Sequence, residues 1–150
     1  MSIGEFSTKD VITALGGETV FDAAKLMLDK GVGSIVVVDL DKKPIGMVTD
    51  RDIAVKVVAQ GKDPKFTLLK EIMSKDTVVL SQDRGFFETT KIMSGTGIRR
   101  IPIVDHDGKL TGIICLDDLI MVFAEELANI AGTIAYGTSL PEERRKVAVG

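Results

Sequence analysis

The chain has 150 residues, 45% hydrophobic and 27% charged, which is typical of one soluble globular domain with a sizeable core. Its net charge of −3 argues against a broad surface for nucleic acids or anionic membranes, because such surfaces need a basic excess. The single cysteine, Cys115, excludes an internal disulfide and a multi-cysteine metal site, and it fits a reducing cytosol.

The first ten residues, MSIGEFSTKD, lack the apolar core of a secretory signal. The longest uninterrupted apolar run is far shorter than the about 20 residues that span a bilayer. We therefore expect a cytoplasmic protein that binds neither a membrane nor a nucleic acid polymer.

The first half of the chain predicts a helix, a β-hairpin and a second helix. Apolar residues at helical spacing follow Thr19, a candidate N-cap, and Gly31 is a candidate stop. Two β-branched runs, VGSIVVVD and PIGMVT, are joined by a polar turn, and DRDIAVKVVAQG then resumes helical spacing, with Ile53, Ala54, Val57 and Val58 on one face. A weak strand at Val11 to Thr13 precedes the first helix.

A shift of 66 residues superimposes this plan on the second half without a gap. Here VVL, at Val78 to Leu80, is the strand before the helix. Between residues 21 and 52, eleven positions are identical: Phe21/Phe87, Lys25/Lys91, Met27/Met93, Gly31/Gly97, Ile35/Ile101, Val38/Val104, Asp39/Asp105, Asp41/Asp107, Lys43/Lys109, Gly46/Gly112 and Asp52/Asp118. The agreement indicates an internal duplication.

The duplication defines the predicted organisation: residues 7–60, residues 67–130 and a C-terminal tail at 131–150. A unit of about 60 residues buries too little surface to be comfortably stable alone. The two copies should therefore pack on a pseudo-twofold axis, which creates two related clefts lined by strand ends and helix starts. We expect ligands in these clefts.

The segment GMVTDRDIAV permits two interpretations. Thr49 as N-cap with Asp52 three residues later resembles a capping box, which needs no ligand. Alternatively, the free N–H groups of the helix start, the Thr49 hydroxyl and Arg51 could bind a phosphate, while Asp52 accepts ribose hydroxyls. The second interpretation predicts a nucleotide.

The second copy carries different residues at these positions. GIICLDD has Cys115 in place of the threonine and Asp117 in place of the arginine, but it keeps Asp118. Conversely, Arg99 and Arg100 begin the second hairpin, where the first copy has Gly33 and Ser34. Guanidinium groups match phosphate oxygens bidentately, so we expect two unequal clefts. Pro102 lacks a backbone donor and leaves a nearby carbonyl free for the amino group of a base.

These motifs resemble the cystathionine β-synthase (CBS) domain. The resemblance rests on GMVTDRD, its echo GIICLDD, the strand RIPIVD and the paired repeat, and it covers roughly Ser7 to Ile130. It implies a mixed α/β (α+β) fold of two β-α-β-β-α repeats forming a Bateman module, usually as a flat homodimer. It also implies binding of AMP, ADP, ATP or S-adenosylmethionine.

In the family each site mixes residues of both repeats. Carried over to this sequence, the stronger site contains Thr49, Arg51, Asp52, Val78, Arg99, Arg100, Ile101 and Pro102. The weaker site contains Ile12, Gly33, Ser34, Ile35 and Asp118. Cys115 and Val36 depart from the Thr/Ser and Pro of the family pattern, which weakens the prediction of a phosphate in the second site.

The remaining candidates for chemistry have simpler interpretations. His106 and the Asp-x-Asp pairs, Asp39/Asp41 and Asp105/Asp107, lie in predicted hairpin turns. No catalytic or metal-binding constellation can be assembled around the one histidine. We therefore expect no catalytic cofactor or metal.

The last helix has Leu116, Leu119, Ile120, Phe123, Leu127 and Ile130 on one face, which fits either subunit contact or core packing. Ser139 before Pro141 predicts a cap for a short charged helix in the tail. We expect a non-enzymatic sensor that passes nucleotide occupancy to an unidentified regulated protein. A ligand-independent scaffold is the alternative, and an enzyme acting on nucleotides lacks a visible nucleophile and base.

Overall fold

The computed structural model describes residues 1–139, which form two repeats of one plan. The first repeat comprises α1 (Ile3–Phe6), β1 (Thr13–Leu15), α2 (Val20–Lys30), β2 (Ser34–Val38), β3 (Pro44–Thr49) and α3 (Asp50–Ile53), which continues as a π-helix (Ala54–Val58). The second comprises α4 (Leu69–Ile72), β4 (Leu80–Ser81), α5 (Phe86–Thr96), β5 (Arg100–Val104), β6 (Leu110–Cys115) and α6 (Leu116–Ser139). The predicted β-α-β-β-α order is confirmed in both repeats.

Each repeat forms a three-stranded sheet in which the first two strands are parallel and the last two form an antiparallel hairpin. The hairpin registers agree after the 66-residue shift: Ser34 pairs with Thr49, and Arg100 pairs with Cys115. The register irregularity also recurs, between Val37 and Val38 and between Ile103 and Val104. The duplication therefore extends to the details of the backbone.

The short helices α1 and α4 are exchanged between the repeats. Ile3 of α1 is buried in the core of the second repeat, whereas Leu69 and Ile72 of α4 are buried in the core of the first. Isolated bridges cross between the repeats in matching pairs, such as Thr8 with Ile113 and Ser74 with Met47. The interlocking supports the predicted packing of the two repeats on a pseudo-twofold axis.

A buried glycine in each hairpin makes this exchange possible. A Cβ on Gly46 would lie 2.8 Å from both the Met73 sulfur and the Ser74 carbonyl oxygen. A Cβ on Gly112 would collide with the Ser7 hydroxyl and lie 3.1 Å from the Thr8 carbonyl oxygen. Only a residue without a side chain permits the crossing segment to approach the strand so closely.

Two predicted strands begin later than expected. The strand predicted at Val11 to Thr13 begins at Thr13, and the strand predicted at Val78 to Leu80 begins at Leu80. The β-branched residues that prompted these predictions, Ile12 and Val78, instead lie beside the clefts described below. Apolar composition identified the segments, but the parallel pairing to β2 and β5 determines where the strands start.

The predicted helix boundaries agree better with the structure. The Thr19 hydroxyl accepts a hydrogen bond of 3.1 Å from the Asp22 N–H, and Gly31 ends α2 with a φ of 64°. Of the predicted apolar face, Val57 is fully buried and Ile53 is partly buried, but Ala54 is exposed and Val58 is 68% exposed. The π-helix, which begins at Ala54, widens the turn beyond 3.6 residues, so the predicted face is not buried as a continuous stripe.

Helix α6 leaves the core after its first turns. Leu119 is buried and Leu116 packs against the same core, but the following apolar residues on the predicted face lie in solvent. The exposed fractions are 56% for Ile120, 54% for Phe123, 55% for Leu127, 59% for Ile130 and 65% for Ile134. Core packing therefore explains only the beginning of this helix.

The same helix is longer than expected, because Gly132 does not end it. Leu116–Thr138 is long and apolar enough, by length and composition, to cross a membrane, although its residues are little buried in the fold. Counting uninterrupted apolar runs missed this segment, since acidic residues divide it. The short charged helix predicted after Pro141 lies outside the described residues.

Candidate functional site

Two clefts lie between the repeats. Cleft A has a volume of about 350 Å³ and is lined by Met47, Thr49, Asp52, Ser74, Asp76, Thr77, Val78, Ile98, Arg99 and Arg100. Cleft B has a volume of about 260 Å³ and is lined by Thr8, Asp10, Val11, Ile12, Val32, Gly33, Ser34, Val36, Arg100, Ile113 and Cys115. Each cleft combines residues of both repeats.

The clefts are equivalent positions of the duplicated fold. Every residue that lines cleft A, except Asp52, has its counterpart 66 positions away among the residues that line cleft B. The hairpin end carrying Thr49 corresponds to the one carrying Cys115, and the pair Arg99 and Arg100 corresponds to Gly33 and Ser34. The backbone is therefore shared, while the side chains give the clefts different chemistry.

Five of the residues predicted for the stronger site line cleft A together. They are Thr49, Asp52, Val78, Arg99 and Arg100. Three others lie elsewhere: Ile101 and Pro102 are buried inside β5, and Arg51 is exposed on α3 outside the lining.

The start of α3 has the predicted capping box. The Asp52 N–H donates to the Thr49 hydroxyl at 3.1 Å, and the Thr49 N–H donates to Asp52 Oδ2 at 2.9 Å. The Thr49 hydroxyl also donates to Asp52 Oδ2 at 3.1 Å. This interpretation needs no ligand, and it commits both side chains to each other.

The free N–H groups expected at this helix start are absent. The Asp50 N–H donates to the Gly33 carbonyl at 3.0 Å, and the Arg51 N–H donates to Asp50 Oδ1 at 2.8 Å. With the Asp52 N–H bonded to Thr49, all three N–H groups are satisfied locally. An anion in cleft A must therefore be bound chiefly by side chains, which makes Arg99 and Arg100 the principal candidates.

Lys56 fixes the orientation of the Asp52 carboxylate. Its Nζ lies 3.0 Å from Asp52 Oδ1 and 2.8 Å from the Ile72 carbonyl oxygen. Lys56 thereby connects the floor of cleft A to α4. The position equivalent to Lys56 in the second repeat is Val122, so Asp118 has no such lysine.

The charged residues lining cleft A are balanced. Arg99 and Arg100 supply two positive charges, and Asp52 and Asp76 supply two negative charges. Such a site suits a ligand with an anionic group and several hydroxyl or amino donors, because carboxylates accept hydrogen bonds and guanidinium groups donate them.

Cleft B keeps part of the predicted weaker site. Ile12, Gly33 and Ser34 line it, whereas Ile35 is fully buried and Asp118 lies outside the lining. Asp118 instead accepts a hydrogen bond of 2.8 Å from the Cys115 N–H, which preserves half of a capping box.

Cys115 offers cleft B a neutral thiol. Burial raises the pKa of Cys115, and the neighbouring Asp118 carboxylate raises it further, while Arg100 opposes them by lowering it. The thiol is therefore protonated at neutral pH and is a poor nucleophile.

Sequence analysis missed the segments that approach the clefts from the other side. Thr8 and Asp10 line cleft B, and their counterparts Ser74 and Asp76 line cleft A, together with Thr77. A signal was available, because TKD at residues 8–10 and SKD at residues 74–76 lie at the same 66-residue spacing.

The hairpin turns are stabilised by aspartate side chains, as predicted. Asp39 accepts from the N–H groups of Asp41 and Lys43, both at 2.9 Å, and Asp105 forms the same pair of bonds in the second repeat. His106 lies in the second turn, 3.4 Å from an Asp83 oxygen. Within residues 1–139 no group of His, Cys, Asp and Glu could hold a metal ion.

Comparison with known proteins identifies the fold and its family. The CBS domain family model matches residues 3–59 and again residues 69–125. Protein MK0525 of Methanopyrus kandleri is 42% identical over 130 residues, which are 87% of this chain and 66% of that protein. The chain thus spans just under two thirds of that relative's length.

Two solved structures extend the comparison. The hexameric CBS-CP12 protein from bloom-forming cyanobacteria is 36% identical with a TM-score of 0.70, covering 80% of this chain and 69% of its own. The CBS domain pair of protein MJ0100, in complex with 5′-methylthioadenosine and S-adenosylmethionine, is 26% identical with a TM-score of 0.74, covering 84% of this chain and 98% of its own. The chain belongs to the CBS domain family and contains two CBS domains in tandem.

Proposed function

We propose that this chain is a regulatory module that binds an adenine nucleotide, AMP, ADP or ATP, in cleft A, and binds it less tightly in cleft B. The observation that carries the proposal is the lining of cleft A, where two arginines and two carboxylates converge from both repeats. The adenosine-derived ligands named for the MJ0100 domain pair support this ligand class. S-adenosylmethionine is the second candidate.

The roles follow from chemistry. Arg99 and Arg100 bind the phosphate. Asp52 accepts a hydrogen bond from the ribose at Oδ1, which already contacts Lys56, because Oδ2 accepts from the Thr49 N–H and hydroxyl. A ligand that touches both repeats favours the arrangement in which the cleft closes best, and it shifts that equilibrium only by its difference in affinity. A regulated protein then recognises the closed arrangement.

Calorimetric titration of AMP, ADP, ATP and S-adenosylmethionine into the purified protein tests the proposal. We expect binding heat from at least one adenine nucleotide. The proposal is refuted if none of the four ligands gives binding heat. Arg99→Ala should weaken AMP binding about tenfold or more, since a hydrogen bond to a charged group contributes about 1.5–3 kcal/mol. Arg51→Ala is the matched control, because Arg51 is exposed outside cleft A and should leave AMP affinity unchanged.

The proposal assigns no catalytic activity to the chain. The Cys115 thiol is protonated, and His106 lies on an exposed turn paired with Asp83, so neither supplies an activated nucleophile to the clefts. Prolonged incubation of ATP with protein and magnesium, followed by chromatography, should return unchanged ATP. Accumulation of ADP or AMP in proportion to protein would refute this part.

We also propose that the chain self-associates through α6, as a homodimer in the cytoplasm. The exposed apolar residues Ile120, Phe123, Leu127, Ile130 and Ile134 alternate at spacings of three and four. This 3.5-residue repeat is the seam along which one helix packs on another. An apolar groove of about 560 Å³ between α5 and α6 adjoins the seam at Ile120 and Phe123.

A second copy explains this seam better than a bilayer. Glu125 and Glu126 lie in the middle of α6, and an acidic residue there costs about 2.5–3.5 kcal/mol on insertion into a membrane. Light scattering coupled to gel filtration should give a dimer that Leu127→Glu dissociates, whereas Ala128→Glu, on an exposed neighbouring position, should not. A monomeric wild-type protein, or one that sediments with lipid vesicles, would contradict the assignment.

A further inference from the structure

Arg100 lines both clefts. It is the first residue of β5, and its pairing with Cys115 brings it beside cleft B, while Arg99 and Ile98 carry the same segment along cleft A. The equivalent residue, Ser34, lines cleft B alone, because its short side chain does not extend across the pseudo-twofold axis. The long arginine side chain therefore breaks the symmetry of the duplicated site.

The guanidinium group of Arg100 is not committed to a protein partner. Its residue is exposed, and it makes no hydrogen bond or ion pair with any side chain in the described part of the chain. The other charged groups that line the clefts are Asp52, Asp76 and Arg99 in cleft A and Asp10 in cleft B. Arg100 is thus the sole cation of cleft B among these lining residues.

We propose that Arg100 makes the two clefts compete for phosphate-bearing ligands. This inference rests on the proposed nucleotide binding. One guanidinium fork binds one phosphate bidentately at a time, so a nucleotide in cleft A withdraws Arg100 from cleft B. Cleft B is then lined by Asp10 without a counter-charge, which disfavours a second anion.

The competition has two consequences that are not expected of two independent sites with different affinities. It is reciprocal, because a nucleotide in cleft B must weaken cleft A by the same factor. It also depends on ligand charge, since adenosine has no phosphate and needs no arginine. We expect a coupling of about five- to tenfold for AMP, within the usual range for two interacting sites.

Cys115 provides a native reporter of cleft B, because it is the sole cysteine of the sequence and lines that cleft. The experiment measures protection of Cys115 from alkylation by iodoacetamide as AMP or adenosine is added, at an alkaline pH where part of the thiol is ionised despite its raised pKa. Thr77 and Ser74 line cleft A and not cleft B, so Thr77→Trp is designed to fill cleft A alone. Ser74→Trp, at an exposed position, is the second variant if the first fails to fold.

With cleft A filled by tryptophan, half-protection of Cys115 should require five- to tenfold less AMP than in the wild type. The same comparison with adenosine should give no difference, and Arg100→Gln should abolish the difference for AMP. The competition would be overturned if half-protection of Cys115 required the same AMP concentration in the wild type and in Thr77→Trp, or if the difference persisted with Arg100→Gln. Either result would leave the proposed nucleotide binding intact. Absence of calorimetric heat and of any Cys115 protection would overturn both proposals.

Discussion

Replacing the two equivalent aspartates separates the structural role of the capping box from nucleotide binding. Asp52→Ala removes the acceptor for the Thr49 N–H at 2.9 Å, the partner of the Thr49 hydroxyl and the 3.0 Å ion pair with Lys56. Asp118→Ala removes the acceptor for the Cys115 N–H, at 2.8 Å, and the carboxylate beside the Cys115 thiol, but no ion pair with a lysine. Both positions lie at the start of the helix that follows the hairpin.

The expected losses of stability are similar in size. A hydrogen bond to a charged group contributes about 1.5–3 kcal/mol, and an i,i+4 ion pair adds only about 0.2–0.5 kcal/mol. Asp52→Ala should therefore lower the free energy of unfolding by about 2–3 kcal/mol, and Asp118→Ala by about 1.5–2 kcal/mol. Urea denaturation without ligand measures both values.

Their effects on AMP binding should differ sharply. Asp52 lines cleft A, so Asp52→Ala should weaken the tighter AMP binding about tenfold or more in calorimetry, whereas Asp118→Ala should leave it within twofold. The reasoning fails if both variants weaken AMP binding equally, because loss of a helix cap would then explain the result. It also fails if Asp52→Ala binds AMP like the wild type.

Three further perturbations probe the fold and the clefts. Gly46→Ala should lower the free energy of unfolding, measured in urea, by about 1–3 kcal/mol, because its Cβ would lie 2.8 Å from the carbonyl oxygen of Ser74, which bridges to Met47. Gly17→Ala is the control, since Gly17 has open space around it, and equal stability of the two variants would contradict the close approach. Thr49→Ala should cost about 1 kcal/mol with or without AMP as a lost cap, and any additional loss that appears only in the AMP titration measures a contact with ligand. Burial raises the pKa of Cys115 above the ordinary thiol value of about 8.5. The free energy of unfolding should therefore be constant below that pH and fall as pH rises through the folded pKa. Cys115→Ala should remove this alkaline decline in urea denaturation, and an unchanged decline would assign it to other groups.

The repeated plan was predictable because its signals are local. Helical spacing, the Thr19 cap, the Gly31 stop and the polar hairpin turns each depend on neighbours a few residues apart. The capping box at Thr49 and Asp52 is likewise local, and it formed as expected. The 66-residue shift then indicated that the same backbone would occur twice.

The clefts were only partly predictable, because their residues come from segments that meet through the exchange of α1 and α4. The 66-residue spacing of TKD and SKD marks these segments as equivalent but not as a binding surface, because they reach the clefts through bridges to the opposite repeat. Alternation along β5 and β2 also places Ile101 and Ile35 in the core, which a motif match alone does not distinguish from a position beside the ligand.

The inequality of the clefts lies in side chains, since the registers and bridges of the two repeats agree. Cleft A has Arg99 and the hydroxyl of Thr49 where cleft B has Gly33 and the thiol of Cys115. These differences in side chains leave the strand pairing unchanged, so both repeats have the same fold. Cleft B, however, has fewer groups that could bind an anion. Arg100 lines both clefts, and under the proposed competition cleft B retains this cation only while cleft A does not use it. One residue can thus make the affinity of cleft B depend on the occupancy of cleft A without any change in the backbone.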